Sequence, residues 1–277
     1  MASTVAPRAV RSSTWATQVR RAVVVAYVFF LVAWPVGLVA KETFADGLGS
    51  IRTALQDPVV THALQLTVIV AVQAVAFDVV FGVGISILLV RYRFPGRRAL
   101  SALVDLPMAV SPVVVGLALI LVYGGRDGWF GPSLEHAGID VIFALPGMVM
   151  ATIFVSLPLV VREVVPVLEE IGTEQEQAAK SLGANAVQTF RRITLPSIRW
   201  AVVYGTVLSL ARSLGEFGAV KIVSGNIVGR TQTATMVVEQ KYQDFEKASA
   251  YSAAFILAFS SILCIVIVSL LRPKDHR

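Results

Sequence analysis

Charge is scarce in this 277-residue chain: Asp, Glu, Lys and Arg make up 15% of it, while 56% is hydrophobic. Soluble domains carry roughly 25% charged residues. The mean hydropathy of +0.73 excludes a disordered chain, which needs the opposite balance. Cysteine is nearly absent, and the single Cys264 excludes an internal disulfide or a cysteine-built metal cluster. His62, His136 and His276 are scattered, and no H-E-x-x-H, nucleophile elbow or zinc spacing occurs. The phosphate-cradling G-x-x-x-x-G-K-[ST] loop is missing too; the nearest stretch, Gly225 to Thr231, has the wrong spacing. By itself the chain lacks the residues to hydrolyse ATP.

What is present is a set of long apolar runs. Ala22–Ala40, Val141–Val161 and Ala248–Leu271 carry no charge. Ala63–Val90 contains only Asp78, Ala99–Tyr123 only Asp105, and Trp200–Val220 only Arg212 and Glu216. About 20 apolar residues cross a bilayer as a helix. Barrel strands would alternate over about ten residues, and no such segments occur. The first run resembles a signal core behind Arg20 and Arg21, but its 19 residues exceed the usual 7–15, which favours a span. The expected fold is an all-α bundle of six transmembrane helices over residues 22–271, between an N-terminal tail of residues 1–21 and a C-terminal tail of 272–277. No internal repeat or low-complexity tract divides it.

The net charge of +6 and pI near 9.7 do not indicate nucleic-acid binding in so hydrophobic a chain. Basic residues here follow the inside-positive pattern of membrane loops. The two tails and the second and fourth loops hold sixteen Lys and Arg, against seven on the other side. Both termini and the fourth loop, residues 162–199, are therefore expected in the cytoplasm.

That loop has structure of its own. Thr173 and Glu176 have the spacing of a capping box. Ala178, Ala179 and Leu182 form a short apolar stripe, and Gly183 is a suitable left-handed stop. Asn185 is a second cap before Val187, Phe190 and Ile193, which recur at helical spacing. Leu195-Pro196 is expected to end the second helix. Periodicity leaves two readings open: a hairpin lying on the ends of the spans, or a docking element for a cytoplasmic partner.

Gln177-Ala178-Ala179, Gly183-Ala184, Phe190 and Ile193-Thr194-Leu195-Pro196 resemble the EAA loop of ABC-transporter permease subunits. One departure is Gln177, where the family usually has Glu; either Glu176 takes that role one position early or the loop tolerates a neutral residue. Two further stretches, Ala99–Gly116 and Ala211–Ala219, resemble spans of sulfate and molybdate permeases. Val223 to Thr231 is most similar to the CysW-type family of sulfate/thiosulfate importers.

The resemblance implies a type I ABC-importer permease fold and a sulfate or thiosulfate importer in the inner membrane. It implies a second, related permease chain, two cytoplasmic ATPase subunits that bind ATP and Mg, and an extracytoplasmic binding protein. No cofactor would be bound by this chain. ATPase docking would fall to Glu176, Gln177, Ala178, Ala179, Leu182, Gly183, Ala184, Phe190, Ile193, Leu195 and Pro196. The rival cargo is molybdate or tungstate. Rivals of another kind are an ion-gradient transporter, which would show two repeated halves, and a membrane scaffold.

Charges inside the membrane need a partner or a wet path. Arg212 and Glu216, four apart, can share a helix face, with Asp78 as a further candidate partner; the three are candidates for an interior ion pair and for the translocation path or its gate. Asp105 lies near the cytoplasmic end of its span. Gly82, Gly84, Gly116 and Gly215 suit close helix packing. Pro107, Pro112, Pro146 and Pro158 are expected to kink their spans.

Overall fold

The computed structural model describes residues 14–45 and 47–271, and every regular element among them is helical. Residues 1–13 and 272–277, most of the expected tails, lie outside the described residues. The first span is a continuous rod: α1 (Thr14–Val28), a π-turn (Phe29–Ala33) and α2 (Trp34–Thr43). Its apolar side chains, Val24, Phe30 and Trp34 among them, face outward along its length, and it meets the rest of the chain where Thr43 donates to the Tyr251 carbonyl at 3.0 Å.

After the short α3 (Gly49–Gln56), Pro58 opens α4 (Pro58–Arg91), with Asp57 accepting from the Val59 amide at 2.8 Å as its cap. Lys241 bridges Asp57 at 3.0 Å and Glu246 at 2.7 Å. Burial alone would raise the Asp57 pKa, but the Lys241 and backbone hydrogen bonds outweigh it and hold the carboxyl below its ordinary 3.8. This tie joins the start of α4 to the later segment that holds Lys241 and Glu246.

The expected third span is broken. The helix α5 (Arg97–Ala109) and α6 (Pro112–Tyr123) meet at 116°. Val110 and Ser111 are extended at ψ 139° and 133°, as residue 111 must be when Pro112 follows. Beyond α7 (Gly131–His136), the fourth span begins later than its apolar run and ends far beyond it, as α8 (Leu145–Glu170). Pro146 sits in its first turn, where no amide is lost, and so starts the helix without bending it. The cytoplasmic loop of the sequence reading thus begins inside a helix.

The loop itself holds α9 (Glu174–Ser181) and α10 (Ala186–Thr189). Leu195-Pro196 does not end the second helix. From α10 the chain passes through a π-turn (Phe190–Thr194) straight into α11 (Leu195–Leu214). The wider π-turn accommodates a proline ring that would otherwise press on the preceding turn. The fifth span is interrupted in its turn: α11 stops before Gly215, and the short α12 (Gly218–Ser224) follows. Gly218 permits this break to lie against α6, since a Cβ there would come within 3.2 Å of Pro112. The chain closes with α13 (Ala234–Gln243) and α14 (Lys247–Leu271).

At the centre, α4, α8 and α11 pack side by side. Helices in lipid gain little from apolar burial against one another, so small residues that let backbones approach carry much of the association. Val160 of α8 fills the gap between Gly82 of α4 and Gly205 of α11. A Cβ would lie 2.8 Å from Val160 Cγ1 at the first site and 3.0 Å from Val160 Cα at the second. Gly116 is likewise packed, against Ile222 and Ala219 of α12. Gly84 has no neighbour within 4 Å and Gly215 only a carbonyl at 3.9 Å, so these two are not packing contacts within the chain.

Gly82→Ala should therefore cost about 1–3 kcal/mol through overpacking, whereas Gly84→Ala should be neutral or slightly stabilising. Thermal unfolding of the two purified variants in detergent checks the contrast.

Candidate coupling hairpin and intramembrane charges

The hairpin turns where the sequence requires it. Gly183 is left-handed at φ +86°, and Asn185 forms a complete capping box with Gln188, both bonds 2.9 Å. The first expected capping box is not formed. Thr173 makes no side-chain cap bond; its hydroxyl instead accepts from Gln177 Nε2 at 2.9 Å. Glu176 is drawn the other way, toward the bundle.

There Glu176 meets Arg91, the last residue of α4. Arg91 Nε lies 3.0 Å from Glu176 Oε2 and 3.2 Å from Oε1, and Thr194 of the π-turn donates to Oε1 at 2.8 Å. The same guanidinium donates through Nη1 to the Leu168 carbonyl at 3.0 Å. That carbonyl is one of the four at the end of α8 that have no helical partner. The two charged side chains are only 10% and 13% exposed. Arg91 and Thr194 were not candidates from the sequence, because 85 residues separate the ion pair along the chain.

The motif residues divide between two faces. Gln177, Ala178, Leu182 and Gly183 are exposed, with Leu182 at 89% and the nearby Val187 at 64%. Glu176, Ala179, Ala184, Phe190 and Ile193 are partly buried, and Phe190 packs against the core around Val164, Leu168 and Ile198. Leu195 and Pro196 lie exposed on the first turn of α11. The acid beside the motif thus faces inward, while the neutral Gln177 faces out.

Inside the bundle the three charged candidates do not come together. Asp78, fully buried on α4, accepts from Ser156 of α8 at 2.5 Å and Ser209 of α11 at 2.6 Å through Oδ2. The expected link from Asp78 to Arg212 and Glu216 is absent: both serines bond Oδ2, and Oδ1 is buried without a hydrogen-bond partner. Ser209 carried a signal: Asp78, Gly82 and Ser86, then Gly205, Ser209 and Ser213, recur at four-residue spacing on one face of their helices.

Arg212 and Glu216 do pair, at 2.7 Å, although the helix between them ends at Leu214. Glu216 is 3% exposed at its side chain and Arg212 40%. Glu216 Oε1 also accepts from the Ala219 amide at 3.2 Å, and its carbonyl accepts from Thr235 at 2.9 Å. It closes the break between α11 and α12. Asp105 pairs with Arg162 of α8 at 2.9 Å, both half exposed.

Residues 78–274 match the family described as "Binding-protein-dependent transport system inner membrane component". The chain belongs to this family. Like its other members it is a multi-pass membrane subunit. The sulfate transport system permease protein CysW of Synechococcus elongatus is 46% identical over 251 residues, covering 91% of this chain and 87% of that one. CysW of Escherichia coli K12 is 43% identical, covering 88% and 83%. The sulfate transport system permease protein CysT of Salmonella typhimurium is 39% identical, covering 80% and 79%. Among solved structures, a chain of a bacterial alginate ABC transporter, in complex with a pentasaccharide-bound periplasmic protein, superimposes with a TM-score of 0.76. It covers 93% of both chains at 15% identity, so the likeness is one of fold. The bundle has the type I ABC-importer permease fold.

Replacing Glu216 with Ala removes the partner of Arg212 and the acceptor of the Ala219 amide at the break between α11 and α12. Solute uptake by cells carrying Glu216→Ala should fall by more than the amount of protein in the membrane; equal losses would restrict Glu216 to a structural role.

Proposed function

We propose that this chain is one of two related permease subunits of an ATP-driven importer that moves sulfate, and thiosulfate, into the cytoplasm. The hairpin lies on the cytoplasmic side with both termini, and its exposed tip docks an ATPase subunit that supplies ATP and Mg chemistry. An external binding protein delivers the anion. The observation that carries this reading is the hairpin: Leu182 and Val187 project from a compact, capped turn whose base is tied to the spans. Leu182 is 89% exposed and Val187 64%, apolar side chains that a docked partner would cover. The cargo is supported by the CysW and CysT names of relatives that cover most of the chain, and the pairing by its likeness to both.

In operation, closure of the ATPases on ATP would draw two such hairpins together and turn the spans outward; hydrolysis would reset them. Each nucleotide state need only bias a two-state bundle. Selectivity can reside in the binding protein, so the permease need not hold sulfate tightly.

Gly183→Asp places a charged, non-glycine residue at φ +86°. Leu182→Asp puts charge on the apolar tip. Each should reduce ATPase co-purifying with the permease by about tenfold, a loss of about 1.4 kcal/mol of docking; unchanged recovery would remove the tip from the interface. For the cargo, labelled sulfate uptake should disappear on deletion of the gene and return on its restoration. Competition by excess thiosulfate but not molybdate establishes the assignment, while molybdate competition would transfer it to the molybdate class.

A further inference from the structure

The first helix of the hairpin, α9, has little to hold it. Helix α9 has eight residues, none buried, and its N-terminal threonine makes no cap bond. A helix of this length is marginal alone in water. Its tip is exposed, and of its inward residues Ala179 can offer only a methyl group. Glu176 is the one side chain of α9 that makes a strong directional contact with the spans, and it does so in a poorly hydrated place where charge–charge contact is strengthened.

Arg91 is suited to the other half of that contact. It ends α4, where a cation complements the helix dipole. Its guanidinium fork reaches two elements at once: Nε points to Glu176 and Nη1 to the Leu168 carbonyl at the end of α8. Thr194, in the π-turn leading into α11, binds the same Glu176 oxygen. One buried cluster therefore gathers the ends of α4, α8 and α11 around a single carboxylate of the hairpin.

We propose that Arg91, acting through Glu176, Thr194 and the Leu168 carbonyl, is a positioning residue for energy coupling: it makes the hairpin one rigid body with three spans. A push on Leu182 is then delivered to α4, α8 and α11 together. Without the cluster α9 turns about the loops on either side of it, and the push dissipates. The position of the acid follows from this role. At residue 176 it faces the bundle and serves as the joint; at 177 the exposed neutral Gln serves the outer face. The proposal rests on the docking of an ATPase at the tip.

The test uses the complete transporter with its binding protein in proteoliposomes, and reads sulfate moved per ATP hydrolysed together with the ATPase bound per permease. Arg91→Gln and Glu176→Gln should each lower the transport ratio about tenfold, within the range of coupling effects, with bound ATPase at its usual stoichiometry. The double variant should be no worse than either single, since both remove one joint. The exchanged pair Arg91→Glu with Glu176→Arg should recover part of the ratio. Thr194→Val deletes one hydroxyl without touching charge, and should lower the ratio about two- to fivefold even if the Arg91 variants fail to assemble. A ratio indifferent to all of these substitutions in an ATPase-bearing complex overturns the joint alone. So does loss of bound ATPase with an unchanged ratio in the complex that remains. Absence of ATPase from the unsubstituted complex would instead overturn the functional reading, and the joint with it.

Discussion

The seam between α4, α8 and α11 governs the rest of the molecule. Two layers one helical turn apart hold it. In one, Val160 sits between Gly82 and Gly205; in the other, Ser156 and Ser209 converge on Asp78. Each residue of the second layer lies four positions from its counterpart in the first. The glycines set how closely the backbones approach, and the shared carboxylate oxygen sets rotation and register. Neither layer would suffice alone. Close approach without a directional contact leaves helices free to slide, and a buried carboxylate without donors would be costly to keep in the membrane.

Register fixed at the seam is carried to the helix ends. Residues 78 and 82 lead to Arg91, 156 and 160 to Leu168, and 209 and 205 back to Thr194. The cluster around Glu176 can form only because the three helices arrive at matching heights. The hairpin, which has no buried residue in its first helix, inherits its placement from contacts in the middle of the membrane. The π-turn before Pro196 belongs to the same chain of causes: it keeps hairpin and span on one axis and presents the Thr194 hydroxyl to the carboxylate.

The two interrupted spans meet each other across the other half of the bundle. The break after Ala109 and the break after Leu214 lie together, with Gly218 against Pro112 and Gly116 against Ile222. Glu216 binds both sides of its break, through Arg212 on one and the Ala219 amide on the other. Broken helices expose unpaired backbone groups, which lipid does not tolerate. Their mutual packing and the Glu216 contacts offset that exposure.

Much of this architecture was legible in the residues. Apolar runs marked six crossings because length and charge density suffice for that decision, and Gly183 and Asn185 marked the hairpin turn because left-handed backbone and helix caps are local chemistry. The EAA resemblance placed the loop in its family. Where a helix continues or breaks was less visible. Proline at 112 broke a span while proline at 196 did not, since a neighbouring π-turn, rather than the proline itself, settled the outcome. The inward face of Glu176 and the partners of Asp78 were hidden for a different reason. Arg91 lies 85 residues from Glu176, and Ser156 and Ser209 lie 78 and 131 residues from Asp78. Hydropathy and spacing act over a few turns and determined the apolar spans and the hairpin turn at Gly183 and Asn185, while the motif resemblance carried the family. The pairing of charges and hydroxyls across helices depends on which faces meet, and only the packing of α4, α8 and α11 decided that.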